Sequence, residues 1–221
     1  MECRCPSDYE EVFSGRAARE TAARFRRRGP TGTSRTIIAQ LTDLGVRYSS
    51  VLEVGGGLGE IPVVMLEQGL ADRATNVDLA TNWEEEASAL LAERGLQDRV
   101  TRVCGDFVQL APTLPRSDLV ILNRVVCCYP DWRSLLDQAA SRATGHLVFA
   151  FPRGGWSRPL LWIENLWHRL RGRQFRAFIH PAPAMMTLLE NAGFRQLADH
   201  RSNLWRTALV ARRSHWPPPM G

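Results

Sequence analysis

The residues best suited to chemistry are a run of glycines with acids set around it. Glu53-Val54-Gly55-Gly56-Gly57-Leu58-Gly59 stands between a short apolar stretch and a helical one. Without a Cβ, backbone can turn tightly and let a ligand come close. Nucleotide and dinucleotide sites share such loops, so spacing must narrow the reading. The dinucleotide pattern G-x-G-x-x-G, counted from Gly55, needs glycine at position 60, where this chain has Glu60. A carboxylate there is also unwelcome beside a pyrophosphate at a helix N-terminus. Glu53, two residues ahead of the first glycine, instead suits a cationic ligand, and no Walker lysine follows the loop.

Further polar groups fall at the ends of the next strand patterns. Asp78 closes the second, where a carboxylate can accept two hydrogen bonds from a ribose diol, and Leu79 follows at the same edge. After the third, Cys104-Gly105-Asp106-Phe107 offers a carboxylate for an adenine amino group and an apolar face beside the ring. Asn123 ends the fourth. Open α/β sheets bind ligands at such carboxyl ends.

The elements that must position these residues can be read from periodicity. Two amphipathic helices come first, over 8–28 and from about Ser34, the former closed by Gly29-Pro30. Strands are predicted at 50–54, 74–78, 100–103, 118–122 and 146–151. Between them lie helices from about 60, over 83–95 and over 132–143. Pro62 is tolerable in a helix's first turn. Strands alternating with helices at this spacing imply a parallel sheet covered on both faces. Residues 153–181 break the rhythm with an amphipathic helix carrying Leu160, Ile163, Trp167 and Leu170, then a basic stretch. A helix over 182–192 follows, then strands at 194–202 and 205–212 that are close enough to pair antiparallel. The division expected is a helical extension over 1–47, a ligand-binding domain over 48–213 with its cap at 153–181, and a disordered tail over 214–221.

With these motifs in register, the chain resembles the class I S-adenosylmethionine-dependent methyltransferases over roughly residues 48–213. The resemblance implies a doubly wound, Rossmann-like α/β fold. It is a three-layer αβα sandwich on a seven-stranded, mostly parallel sheet whose last strand is antiparallel. It also implies S-adenosyl-L-methionine as cofactor, held by Glu53, Gly55, Gly56, Gly57 and Gly59. Asp78 with Leu79 would hold the ribose, and Asp106 with Phe107 the adenine. Asn123 would be the fourth-motif polar residue. Val126-Cys127-Cys128-Tyr129-Pro130-Asp131 and Arg176-Ala177-Phe178-Ile179-His180 resemble stretches of the magnesium-protoporphyrin O-methyltransferases. Where that family normally has histidine this chain has Cys128, and Phe13 stands in the place of its tyrosine, which implies a different acceptor.

A small-molecule acceptor is therefore expected, taking the methyl group on oxygen or nitrogen. A hydroxyl would need a base, for which His180 is the first candidate and Tyr129 the second. A carboxylate or amine would need only orientation, for example by Arg124 or Arg176. Trp156, Trp162 and Trp167 could line an apolar acceptor pocket or pack the cap; a basic amphipathic helix could instead touch a membrane surface. Cys3, Cys5, Cys127 and Cys128 would suit a soft metal or metalloid if they met, yet they match no closed zinc spacing, and no metal is expected.

Composition bounds these readings. The 221 residues and 44% hydrophobic content suit one domain with a real core. All 28 basic residues are arginine and the formal charge is +5, but they are spread along the chain in a way that suggests a GC-rich genome. The cluster Arg24, Arg26, Arg27, Arg28 reads as a solvated helix end, so no nucleic acid is expected. Five cysteines without a visible signal peptide, and no apolar run of membrane-spanning length, make the expected setting cytoplasmic. Two alternatives stay open: a methyltransferase acting on RNA or protein, and a nicotinamide-dependent oxidoreductase.

Overall fold

The computed structural model describes residues 14–30, 32–154, 157–173 and 175–215. Its centre is a seven-stranded sheet: β1 (Tyr48–Val54), β2 (Ala71–Asp78), β3 (Val100–Cys104), β4 (Ser117–Asn123), β5 (Ala143–Pro152), β6 (Phe194–Arg201) and β7 (Trp205–Arg212). The spatial order is β3-β2-β1-β4-β5-β7-β6. β7 runs antiparallel to both neighbours while the other pairs are parallel, so the expected fold class is the one observed.

Neighbouring residues on the central strands point to opposite faces, and both faces are apolar. Val51, Ile121, Val148 and Leu209 join one core. Their successors Leu52, Leu122, Phe149 and Val210 join the other. That doubling explains the near-continuous apolar runs, because a strand covered on both sides has no polar face to show.

Four helices cover the first face: α1 (Gly15–Arg28), α2 (Gly32–Leu44), α3 (Glu60–Glu67) and α4 (Glu84–Glu93). Phe25, Ile37, Leu41, Ile61, Met65 and Leu90 are the buried side chains they contribute. The N-terminal helices thus share the sheet's own core. Ser14 caps α1, accepting from the Ala17 N–H. The second face holds a single turn, α5 (Phe107–Leu110), with α6 (Trp132–Arg142) and α8 (Ala182–Asn191), through Phe107, Leu136, Met185 and Leu189.

Between β5 and α8 runs α7 (Ser157–Leu170), then an extended segment over 175–180. Asn165 staples the two together: its Nδ2 donates to the Ala177 carbonyl at 2.8 Å, and the Ala177 N–H donates to its Oδ1 at 2.7 Å. Among the described residues, no helix is long and apolar enough to cross a membrane. Residues 8–13 of the first predicted helix, Phe13, Cys3, Cys5, Trp156 and residues 216–221 of the predicted tail lie outside the described residues. Residues 213–215 form a short turn of helix.

Candidate active site

Strand order reverses between β1 and β4, which opens a crevice at their carboxyl ends. The glycine turn sits there. Gly55, Gly57 and Gly59 have φ of 62°, 54° and 81°, the left-handed region that other residues rarely adopt. Space is short as well. A Cβ on Gly55 would strike Val125 just after β4, and one on Gly57 would lie 3.2 Å from the Trp83 indole. One on Gly56 would land on Glu53 Oε2 and Asn76 Nδ2.

Glu53 therefore lies beneath the turn, 1% exposed, rather than open to a ligand. Its register partner across β1 and β2 is Asn76, whose Nδ2 donates to Glu53 Oε2 at 2.8 Å. Burial, with the nearby Glu60 and Asp78 charges, pushes the Glu53 carboxyl up to about 8 against the opposing pull of Arg102. Near neutral pH it is mostly protonated.

Asp78 ties the turn to the second strand. Its Oδ2 accepts from the Gly57 N–H at 2.7 Å and its Oδ1 from the Ala80 N–H at 2.8 Å. Burial raises its pKa, and the backbone donors of Ala80, Gly57 and Leu79, with the Arg102 charge, oppose the rise. Leu79, half-buried, follows it, its carbonyl 3.9 Å from Cys104 Sγ.

Asp106 caps α5, accepting from the Val108 N–H at 2.9 Å. Tyr129 donates its hydroxyl to the same carboxylate, 3.1 Å from both oxygens. The Tyr129 hydroxyl, the second candidate for an acid–base group, thus turns its proton to Asp106. Phe107, expected to offer an apolar face beside an adenine, is the first residue of α5, 4% exposed, and packs with Val54, Val77 and Leu122.

Asn123 is gripped by α2: Thr33 donates to its Oδ1 at 2.6 Å and its Nδ2 donates to Ser34 Oγ at 3.0 Å. Glu60, first residue of α3, is paired with Arg24 of α1 and bonded by Ser34. The N-terminal helices therefore lock both the glycine turn's exit and the end of β4. Trp83, Thr33, Ser34 and Arg24 were not among the sequence candidates.

Beyond β4 the chain is strained. Arg124 has φ of 63°, and its exposed guanidinium lies 4.8 Å from the Trp205 ring centre. Its carbonyl accepts from the Cys127 thiol at 3.3 Å, and the two vicinal sulfurs are 3.7 Å apart. The hydrogen bond from Cys128 and the Arg124 charge hold the Cys127 thiol below its usual range. Among the described residues no group of three or more His, Cys, Asp or Glu could hold a metal ion.

The 175–180 segment borders this loop. The Phe178 N–H donates to the Cys127 carbonyl at 2.7 Å, and His180 Nε2 lies 3.0 Å from the Tyr129 carbonyl. The His180 ring stacks on Phe178 and tilts against Trp132. Burial lowers its pKa, so the neutral ring dominates near pH 7. Arg176 turns its Nη1 on to the carbonyls of Arg173 and Phe175. Trp162 and Trp167, expected as pocket-lining or cap-packing residues, face outward and are 66% and 44% exposed.

An open concavity of about 470 Å³ lies elsewhere, lined by Phe25, Gly29, Ile38, Glu67, Gln68 and Arg94. It meets α3 at its C-terminal end, away from the glycine turn, so the strand ends remain the better site on chemical grounds.

A methyltransferase domain family profile matches residues 15–198, spanning the glycine turn, Asp78, Asp106, Asn123 and both N-terminal helices. The chain belongs to the methyltransferase domain family. It is 33% identical over 144 residues to a malonyl-[acyl-carrier protein] O-methyltransferase of Chlorobium luteolum, 58% of this chain and 52% of that one. It thus spans about half the length of that curated relative. The magnesium protoporphyrin IX methyltransferase of Synechocystis, solved with bound SAH, shares the fold with a TM-score of 0.67 at 19% identity. That match covers 86% of this chain and 93% of its own. An O-methyltransferase family protein of Burkholderia thailandensis gives a TM-score of 0.70 at 18% identity, over 92% of this chain and 62% of its own.

Proposed function

We propose that this methyltransferase-family chain transfers the methyl group of S-adenosyl-L-methionine to a small-molecule acceptor. The observation that carries the reading is Asp78 bonded to the Gly57 N–H at the switch point, a carboxylate at the strand end where a ribose diol can meet it. The surrounding residues fit that cofactor: the turn excludes side chains where a ligand approaches, and Asp106 lies one strand further out for an adenine amino group. Glu53 acts from below, fixing the turn through Gly56 and Asn76. Asn123 and Leu79 complete the rim.

When bound, S-adenosylmethionine supplies an electrophilic methyl group on a sulfonium for in-line displacement. The protein's contribution is alignment, which can be worth roughly 7–11 kcal/mol. The acceptor side is the loop after β4 with the 175–180 segment. Arg124 there can orient an anionic acceptor, and a carboxylate needs no base. For a hydroxyl acceptor His180 is the base. The carbonyls of Tyr129 and Val126 anchor its ring, and burial keeps it neutral. The curated relative, by name a malonyl-[acyl-carrier protein] O-methyltransferase, supports an oxygen acceptor.

A small-molecule acceptor is favoured over RNA because the arginine cluster is partly committed. Arg24 pairs with Glu60, and Arg26 with Glu86 and Glu93. Calorimetric titration with S-adenosylhomocysteine tests the reading: micromolar binding is expected, with no fluorescence enhancement of added NADH. Absence of binding, or enhancement by NADH, overturns it.

A further inference from the structure

Six of the seven large apolar residues exposed among the described residues are on α7. Placed at 100° per residue, Trp162, Leu166, Leu170, Ile163, Trp167 and Leu160 form one continuous arc of roughly 160°. Trp162 is 66% exposed, Ile163 57% and Leu170 78%. The opposite side, with buried His168 and the Asn165 staple, is the one that packs on the protein. A helix that seats its polar Asn inward and its tryptophans outward has an apolar face with no partner among the described residues.

The charge around that face is one-sided. Arg158 and Arg169 border the arc next to Trp162, and Arg171 and Arg173 stack on Trp167 at 3.9 and 5.3 Å from its ring centre. Glu164 is the one acid in the helix sequence. A second copy laid on the same face would bring these arginines toward one another. A surface of negative charge over hydrocarbon would satisfy both features at once. Tryptophans suit that boundary, with an apolar ring and a polar N–H.

We infer that α7 is an interfacial helix that seats this protein on an anionic lipid bilayer. It lies in the headgroup plane, its 14 residues about 21 Å long, with the arginines toward lipid phosphates. The Asn165 staple to Ala177 carries the anchor to the 175–180 segment, so docking holds the proposed acceptor side beside the membrane. The docking does not depend on methyl transfer, but its bearing on the acceptor side does.

The test is co-sedimentation of the full chain with vesicles of phosphatidylcholine alone or mixed equally with phosphatidylglycerol, while tryptophan emission is followed. Expected is at least about tenfold stronger partition to the anionic vesicles, weakened by salt, with a blue shift. Joint Trp162→Ser and Ile163→Ser changes should abolish partition. Joint Arg158→Ser and Arg169→Ser changes should reduce it and its salt dependence. Both variants should keep the circular dichroism and S-adenosylhomocysteine binding of the parent. No partition, or partition untouched by the Trp162 and Ile163 changes, overturns the inference. So does a dimer in sedimentation equilibrium that these changes dissolve while vesicles go unbound. Vesicle binding by a chain that ignores S-adenosylhomocysteine would sink the methyl-transfer reading and leave the docking standing.

Discussion

The glycine turn and the cap helix solve opposite problems. Around the turn the key polar side chains have partners inside the protein: Asp78 on Gly57, Glu53 on Asn76, Asn123 on Thr33 and Ser34, Asp106 on Tyr129. On α7 the large apolar side chains point to solvent and one polar residue does the fastening. The contrast separates a region whose geometry is fixed before any ligand arrives from one whose surface awaits a partner. Preorganisation suits the end that must hold a cofactor in line, whereas exposed apolar area suits contact with something outside the chain.

The contrast can be broken most sharply at Asp78. Asp78→Ala removes the carboxylate that braces the turn and is proposed to hold the ribose, and S-adenosylhomocysteine affinity by calorimetry should fall about 100-fold or more. Gly56→Ala comes next. Its methyl group would occupy the place of Glu53 Oε2, so thermal unfolding should show a loss of about 1–3 kcal/mol together with weakened ligand binding.

Glu53→Gln probes the buried acid through pH. The unfolded chain's Glu53 ionises near 4.5, but the folded one only near 8. Its protonated form is thus favoured by folding. Stability should fall as pH rises between those values and level off above about 8. In the Gln variant that slope should flatten, as urea titrations at several pH values would show. Tyr129→Phe removes one hydrogen bond to Asp106 and should weaken cofactor binding by roughly three- to tenfold. At the far end of the scale, Trp162→Ser should change unfolding free energy by less than about 0.5 kcal/mol and leave cofactor affinity unchanged. A large loss there would mean that the cap and turn are one packed unit, and the contrast would fail.

The fold was legible because both signals behind it are local. Apolar runs of strand length alternate with helical spacing, and β1 through β7 fall within a few residues of where those patterns place them. The glycine turn and Asp78 were legible for the same reason: a strand-to-helix turn prescribes its residues. What escaped were contacts made across the fold. Thr33 and Ser34 reach Asn123 from about 90 positions away, and no periodicity announces it. For Tyr129, sequence order gives a place after β4 without saying that its hydroxyl turns to Asp106. The burial of Glu53 is hard to see because a strand-end acid usually meets water; its register opposite Asn76 is the signal that it has a buried partner. The sequence leaves Trp162 and Trp167 open between a pocket, cap packing and a membrane-facing helix, because residue type does not say which face packs; Trp162, Leu166 and Leu170 share a helix face away from Asn165 and His168.

The most direct check on the central claim is a crystal structure of the protein with S-adenosylhomocysteine. The account places both ribose hydroxyls on the Asp78 carboxylate, the amino-acid end along residues 55–59 and the adenine near Asp106. Ligand density at another site, or a diphosphate seated on the glycine turn, would contradict it.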